Sequence, residues 1–236
     1  MKTLLALPKF RKKNMQPVRH LNGVSKDFPG SDELLTTINS NIQKATLHDF
    51  RSPGASATRS GMSKFVALDF ETGDNGADSA CSIGLVRVEF GVITREEMRL
   101  IRPPRERILY THIHGLSWDD VKDAPHFGRV WPELLPIFEG VDFIVAHNSS
   151  FDKRVLHACC QSFGIVPPTL PFNCTVQVAR KTLGIYPAKL SNVCRVLGID
   201  LNHHEALSDA RACAKIMIES LARTSAAESS SVNISL

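Results

Sequence analysis

Residues 65–72 of the chain read Phe-Val-Ala-Leu-Asp-Phe-Glu-Thr, an apolar run that ends on two acidic residues. The run is short and rich in β-forming residues, which predicts a strand. Because side chains alternate along a strand, Asp69 and Glu71 leave one face while Phe70 points to the other. Two neighbouring carboxylates at the end of a buried strand are unfavourable unless a cation lies between them. A solvated strand end is the alternative interpretation.

The residues that follow predict the rest of the sheet. The runs 81–90 and 92–101 are separated by a tight turn at Gly91, which is typical of an antiparallel meander. Residues 142–148 have the continuous apolar character of a fully buried strand. Helical patterns occupy residues 125–140, 151–164, 174–183, 189–197 and 205–221. This order predicts an α/β fold with a mixed central β-sheet flanked by helices.

Two more acidic residues stand where helices are predicted to begin. Asp152 follows the strand 142–148 and falls in the first turn of the next helix, where ordinary N-terminal capping is the alternative role. In the segment HHEALSDA, His204 precedes a helix and Asp209 lies just over one turn further along. A His/Asp pair at this spacing is common by chance, so it carries weight only together with the other acids.

Taken together, four carboxylates and one histidine match the needs of two-metal phosphodiester hydrolysis. Two Mg²⁺ or Mn²⁺ ions roughly 3.5–4 Å apart need hard anionic oxygen ligands. A nearby histidine can take the proton from the attacking water, since its pKa lies close to neutrality. The sequence contains no GxSxG, GxGxxG or P-loop motif, which argues against a serine hydrolase and against a nucleotide cofactor.

The motifs DFET, VAHNSSFD, LSNVCRVLGI and HxAxxD occur in an order that resembles the DEDDh branch of the DnaQ-like 3′–5′ exonucleases. This family includes proofreading subunits of bacterial DNA polymerase III. The resemblance covers about residues 64–221 and implies a ribonuclease H-like fold, two divalent metal ions and release of nucleoside 5′-monophosphates. His203 lies one residue too early for the pattern. Position by position, the resemblance implies Asp69, Glu71, Asp152 and Asp209 as metal ligands and catalytic residues, with His204 as the general base.

The same resemblance implies a set of substrate-binding residues near the acids. Thr72 matches a position that meets the terminal nucleotide, and Phe151 matches an aromatic beside the substrate strand. Four residues of the set have a structural alternative: Thr72 as a turn residue, His114 as a loop histidine, Phe151 as a core aromatic, and Asn148 as a residue that fixes the loop before Asp152. The full set implied for substrate binding is Phe70, Thr72, Ile113, His114, Asn148 and Phe151.

These features predict a 3′–5′ exonuclease acting on single-stranded 3′ ends, with DNA as the first choice of substrate and a DNA polymerase as a candidate partner. Two alternatives remain open at this point. One is an RNA-directed exoribonuclease of the same family, because the catalytic residues do not report sugar choice. The other is a catalytically silent polymerase-accessory or nucleic-acid-binding module, whose signature would be the loss of an acid.

Charge divides the chain into parts. Residues 1–63 hold ten Lys and Arg against four Asp and Glu, whereas residues 64–236 hold 18 against 20. We expect a basic, mostly disordered extension at 1–63, an exonuclease domain at 64–223 and a disordered tail at 224–236. The extension has three readings: a binding tail, a weak targeting segment, or residues outside the natural protein if translation starts at Met62.

The location expected from the sequence is the cytoplasm. No apolar run approaches the ~18 residues that span a bilayer, and the first residues lack the core and cleavage site of a signal peptide. The six cysteines form no CxxC pair and no zinc-like spacing with histidine. We therefore expect buried thiols in a reducing compartment.

Overall fold

The structure, a computed structural model, describes residues 63–232, with side chains to residue 229. The predicted extension therefore lies outside the described residues, apart from Ser63. The strands are β1 (Lys64–Thr72), β2 (Ala80–Glu89), β3 (Val92–Leu100), β4 (Phe143–Ala146) and β5 (Phe172–Cys174). The helices are α1 (Thr111–His114), α2 (Trp118–Val121), α3 (Phe127–Leu134), α4 (Ser150–Ser162), α5 (Thr175–Lys181), α6 (Leu190–Leu197) and α7 (Ala206–Val232), with a 3₁₀ helix at Leu135–Phe138.

The five strands form one mixed sheet in the order β3-β2-β1-β4-β5. The first three strands pair antiparallel, whereas β4 pairs parallel with both β1 and β5. Phe90 and Gly91 connect β2 to β3, and both have positive φ, as two-residue hairpin turns that follow the strand twist require. The predicted meander and the predicted mixed α/β sheet are both confirmed.

The central strand β1 supplies two apolar cores. Its even-numbered positions 66–70 pack with α3 and α4 on one face, and positions 65 and 67 pack with α6 and α7 on the other. Asp69 and Glu71 continue the odd-numbered series, so their side chains leave the strand on the side of α7. The fold thereby directs both acids toward the helix that carries Asp209.

Gly84 allows the start of α7 to approach β2 closely. It lies opposite Asp69 in the β1–β2 pair, and a Cβ at this position would stand 2.2 Å from the carbonyl oxygen of Ala206. No side chain can occupy that space, so the glycine is required by the contact between β2 and the start of α7. Asp209 lies in the first turn of that helix and is brought to the end of β1.

Three elements differ from the sequence-based expectation by more than a residue or two at their ends. The predicted helix at 125–140 changes from α to 3₁₀ geometry at residue 135, because Pro136 has no N–H to continue the α-helical ladder. The strand β5 was not predicted, since three residues are too few to show a period. The segment after residue 223, expected to be disordered, is helical up to Val232, because α7 continues without a break to that residue.

The extension of α7 has a local explanation. The hydroxyl groups of Thr224, Ser225 and Ser229 each donate to the carbonyl oxygen four residues earlier, at 2.9–3.0 Å. These polar side chains are therefore satisfied within the helix. The alanines at 226 and 227 add strong helix propensity. The high serine content of this segment led to the expectation of disorder, which did not take these alanines into account.

The cysteines follow the expectation of buried thiols in part. All six cysteines lie in the described region as free thiols, and each is buried except Cys174, which is half-buried. Among residues 63–232, none of the helices is both long enough and apolar enough to cross a bilayer.

Candidate active site

Four carboxylates meet where β1 ends. Asp69, Glu71 and Asp209 each offer an oxygen atom within 4.8 Å of the other two. Asp152 is held at the same strand end, since its Oδ1 accepts a hydrogen bond of 3.2 Å from the backbone N–H of Phe70, and its charge acts on Asp69. The structure therefore brings together all four acids that the sequence singled out, from one strand and two helices.

Burial makes this cluster costly for the metal-free protein. The exposed fraction is 1% for Asp152, 4% for Asp209 and 8% for Glu71. Burial, reinforced by Asp152 and Asp209, raises the pKa of Asp69 well above its ordinary range. Burial also raises the pKa of Glu71 to about 7 and that of Asp152 to about 8. The fold thus holds these carboxyl groups in a buried position that disfavours their ionised form.

One oxygen atom in the cluster has no partner. Asp209 Oδ2 accepts hydrogen bonds from the His203 ring at 2.8 Å and from the backbone N–H of His204 at 3.2 Å. Asp209 Oδ1 is buried and makes no hydrogen bond within the described residues. A buried acceptor without a partner is unfavourable. Hard carboxylate oxygens gathered around such an atom fit a divalent cation such as Mg²⁺ or Mn²⁺.

The two adjacent histidines both contact Asp209, but through different groups, which the sequence did not predict. The ring of His203 contacts the carboxylate of Asp209, whereas His204 uses its backbone N–H. His204 has a φ of 68°, and its ring stacks on that of His203 with centroids 3.8 Å apart. The chain therefore places a second imidazole at the site, at the position that the family spacing had set aside.

All six residues predicted to bind substrate line a single cleft of ≈ 950 Å³ above the acids. His114 is fixed within it, because the backbone N–H of Leu116 donates to Nδ1 at 3.1 Å and Nε2 lies 3.2 Å from the carbonyl oxygen of Thr72. With Nδ1 as acceptor, the proton is on Nε2 and is donated to Thr72. Burial lowers the pKa of His114, in accord with a neutral ring. Its role includes holding α1 against the end of β1.

The segment that carries His114 is also held by an arginine. Arg105 forms ion pairs of 2.6 Å with both Asp74 and Asp78 in the loop between β1 and β2. The hydroxyl group of Tyr110 donates to the side chain of Asn75 in the same loop. These contacts attach the 102–110 segment to the loop that follows Thr72, and so fix one wall of the cleft.

The cleft also contains residues that sequence reasoning did not select. They come from loops and helix ends whose meeting depends on the tertiary fold. One of them is His147, the histidine of the VAHN motif, whose Nδ1 lies 2.8 Å from the hydroxyl oxygen of Thr175. Its place in that motif was the one feature of the sequence that could have indicated it. The others are Tyr110, Val176, Arg180, Tyr186, Pro187, Ala188, Lys189, Leu190, Ser191 and His203.

The raised pKa values predict how the metal-free protein responds to pH. A carboxyl group whose pKa is higher in the folded state binds more protons there, so stability falls as pH rises from about 4 toward 8. In Asp152→Asn, the amide oxygen can still accept from Phe70, but the buried charge is gone. In chelator at pH 8 we expect the melting temperature of this variant to exceed that of the wild type by on the order of 5 °C. The difference should shrink toward pH 4.5.

Calorimetry at both pH values measures this effect, and Asp200→Asn, an exposed acid outside the cluster, is the matched control. A variant that is less stable than the wild type at pH 8 would show that the carboxylates do not repel one another in the fold.

A sequence profile of the RNase T family, described as an exonuclease family, matches residues 66–217. This match extends over most of the described chain and contains all four acids. The chain belongs to the DnaQ-like RNase T exonuclease family. The resemblance stated from the motifs is thereby confirmed at the level of the family.

Relatives of this chain include much longer proteins. The PolC-type DNA polymerase III of Thermotoga maritima is 33% identical over 162 residues, which is 67% of this chain but 12% of the relative. The PolC-type DNA polymerase III of Clostridium perfringens is 31% identical over 163 residues, which is 65% of this chain and 11% of the relative. The chain thus spans only about an eighth of the length of these relatives.

Solved exonuclease structures share the fold. Exonuclease X in complex with 5′ overhanging duplex DNA is 25% identical, with a TM-score of 0.54 over 67% of this chain and 91% of that one. Exonuclease I of E. coli in complex with a dT13 oligonucleotide is 16% identical, with a TM-score of 0.56 over 69% of this chain and 40% of that one. The second likeness supports the architecture alone.

Proposed function

We propose that this exonuclease hydrolyses the terminal phosphodiester bond at the 3′ end of single-stranded DNA and releases nucleoside 5′-monophosphates. The observation that carries the proposal is the cluster of Asp69, Glu71, Asp152 and Asp209 around an unpartnered carboxylate oxygen. All four acids and His204 are present, which argues against a catalytically silent module. Membership of an exonuclease family and the PolC-type relatives support DNA as the first substrate to test.

In this proposal the four carboxylates would hold two divalent metal ions, Mg²⁺ or Mn²⁺. Asp69, Glu71 and Asp209 have oxygens close enough to share one cation, and Asp152 is held beside Phe70 of the same strand by its backbone N–H. When bound, such ions supply Lewis-acid chemistry, preparing the attacking water and stabilising the leaving oxygen. The carboxylates then gain the counter-charge that their buried position lacks.

The chain's own groups perform the remaining work. The imidazole of His204 accepts the proton of the attacking water, and burial together with His203 lowers the pKa of His204, which keeps the ring neutral and ready to accept. Thr72, Ile113 and Phe151 line the cleft beside the acids and contact the terminal nucleotide. Phe70, His114 and Asn148 complete this set, with His114 holding the wall in place.

We also propose limits for the exonuclease domain and a DNA polymerase as its partner. We assign the exonuclease domain to residues 64–223, and α7 continues beyond that limit. The name DNA polymerase III of the PolC-type relatives supports a DNA polymerase as partner. Co-purification of the two proteins from mixed extracts, repeated with the isolated 64–232 fragment, tests that association.

Product analysis tests the reaction itself. Single-stranded DNA and RNA of one sequence, labelled at either the 3′ or the 5′ end, are incubated with Mg²⁺, with Mn²⁺ and with a chelator. We expect 3′-labelled DNA to release labelled mononucleotide at once and 5′-labelled DNA to shorten as a ladder, with no product in chelator. Faster hydrolysis of RNA would reassign the sugar preference, and undiminished activity in chelator would refute the metal-dependent mechanism.

A further inference from the structure

One wall of the cleft carries positive charge and an exposed aromatic ring, neither of which the proposed reaction uses. The wall is formed by the end of α5 and by the loop that joins α5 to α6. Arg180, Tyr186 and Lys189 lie along it, line the same cleft as the acids and are exposed, Tyr186 to 68%. We call these three residues the Arg180 wall.

The two cations of the Arg180 wall differ from most others in the domain. Many Lys and Arg side chains are engaged with carboxylates, as in Arg211 with Glu96 at 2.7 Å and Arg105 with two aspartates. Within residues 63–229, no carboxylate lies within ion-pair distance of Arg180 or Lys189. Their charge is therefore available to an anion that enters the cleft from solvent.

This charge matters because of where it lies. Residues 64–236 are slightly acidic in total, and the floor of the cleft holds four carboxylates. A polyanion approaching such a floor is repelled unless nearby cations offset the field. Two free cations on the adjacent wall supply this offset for phosphates that lie away from the metal ligands.

The loop that presents Tyr186 is fixed although the side chain is exposed. The side-chain amide of Asn192 donates to the carbonyl oxygen of Pro187 at 2.7 Å. Ile185 and Ala188, on either side, are buried. A rigid backbone that exposes one aromatic ring beside two cations matches the platforms on which single-stranded nucleic acids stack.

We propose that the Arg180 wall binds the nucleotides that precede the 3′-terminal one, with Arg180 and Lys189 contacting phosphates and Tyr186 stacking on a base. This inference rests on the proposed exonuclease function and specifies its substrate class as strands of several nucleotides rather than dinucleotides. Neither a phosphate contact nor stacking reads base identity. The wall therefore selects for strand length and not for sequence.

A comparison of substrate lengths tests the proposal. The double variant Arg180→Ala/Lys189→Ala is compared with the control variant Lys181→Ala. Lys181 is the next cation on α5; it is exposed and lies outside the cleft. The substrates are a dinucleotide and a single strand of about 12 nucleotides, a length within known single-strand site sizes. For the double variant we expect the ratio of KM for the long strand to KM for the dinucleotide to rise roughly tenfold.

Salt dependence and the aromatic ring give independent readouts. Loss of two phosphate contacts should reduce the slope of log KM for the long strand against log salt by about 1.4. Tyr186→Ala should raise that KM roughly tenfold, and Tyr186→Phe should restore it, because the ring and not the hydroxyl group stacks.

The outcomes separate this inference from the proposed function. If the wild type hydrolyses neither substrate, the exonuclease assignment fails. If it hydrolyses the long strand but the double variant matches Lys181→Ala in KM ratio and salt slope, the wall does not bind substrate while the function stands. An equal rise in KM on both substrates also overturns the inference, because the wall would then contact the terminal nucleotide.

Discussion

Replacing Asp152 with Asn is expected to lower the rate of phosphodiester hydrolysis by about 10³-fold or more while the protein stays folded. The physical reason is that the substitution keeps the shape of the side chain and the hydrogen bond from Phe70 but removes one negative charge from the cluster. A cation held more weakly, or in a different place, stabilises the transition state less by several kcal/mol, and each 1.36 kcal/mol is a factor of ten in rate.

The measurement is the initial rate of 3′-end hydrolysis at saturating Mg²⁺, with circular dichroism to establish the fold. Asp200→Asn serves as the matched control, because it removes one exposed aspartate from the same domain and lies outside the cleft. A rate for Asp152→Asn within about tenfold of the wild type would exclude Asp152 as a metal ligand.

The second large effect concerns the adjacent histidines. His204→Ala is expected to lower kcat by about 10²–10⁴-fold, the usual contribution of a general base. Its backbone N–H remains in the variant and still bonds to Asp209, so the acid cluster keeps its geometry. The affinity for Mn²⁺ should therefore stay close to that of the wild type even though hydrolysis is lost.

His203→Ala is the informative comparison, because it removes the imidazole that contacts Asp209 directly. We expect a smaller loss of rate, less than about tenfold, accompanied by a change in Mn²⁺ affinity, since the freed Asp209 oxygen becomes available to the cation. A loss confined to His203→Ala, with His204→Ala near the wild-type rate, would transfer the role of base to His203.

The sequence predicted those parts of the fold that depend on local periodicity. The alternation of side chains in residues 65–72 predicted both the central strand and the shared face of Asp69 and Glu71. The turn at Gly91 predicted the meander, and the helical patterns predicted α4 and α6 to within a residue or two at most ends. Asp69 and Glu71 were identifiable in the sequence because two charged residues at the end of an apolar strand are unusual, whereas Asp152 and Asp209 were identified through the order of the family motifs.

Features that depend on contacts between distant segments could not be read in the same way. The need for Gly84 arises only when α7 packs on β2, and nothing around residue 84 indicates it. The choice of His203 as the partner of Asp209 depends on a positive φ at His204. The Arg180 wall likewise joins a helix end to a loop, and its cations look like any solvated pair in the sequence.

A titration with Mn²⁺ monitored by calorimetry measures whether the four carboxylates hold divalent metal ions. For the wild type at neutral pH we predict saturable binding of two ions per chain, and for Asp152→Asn fewer than two. Absence of saturable binding to the wild type would show that the cluster is not a metal site, and the same stoichiometry and affinity in Asp152→Asn would show that Asp152 is not a metal ligand.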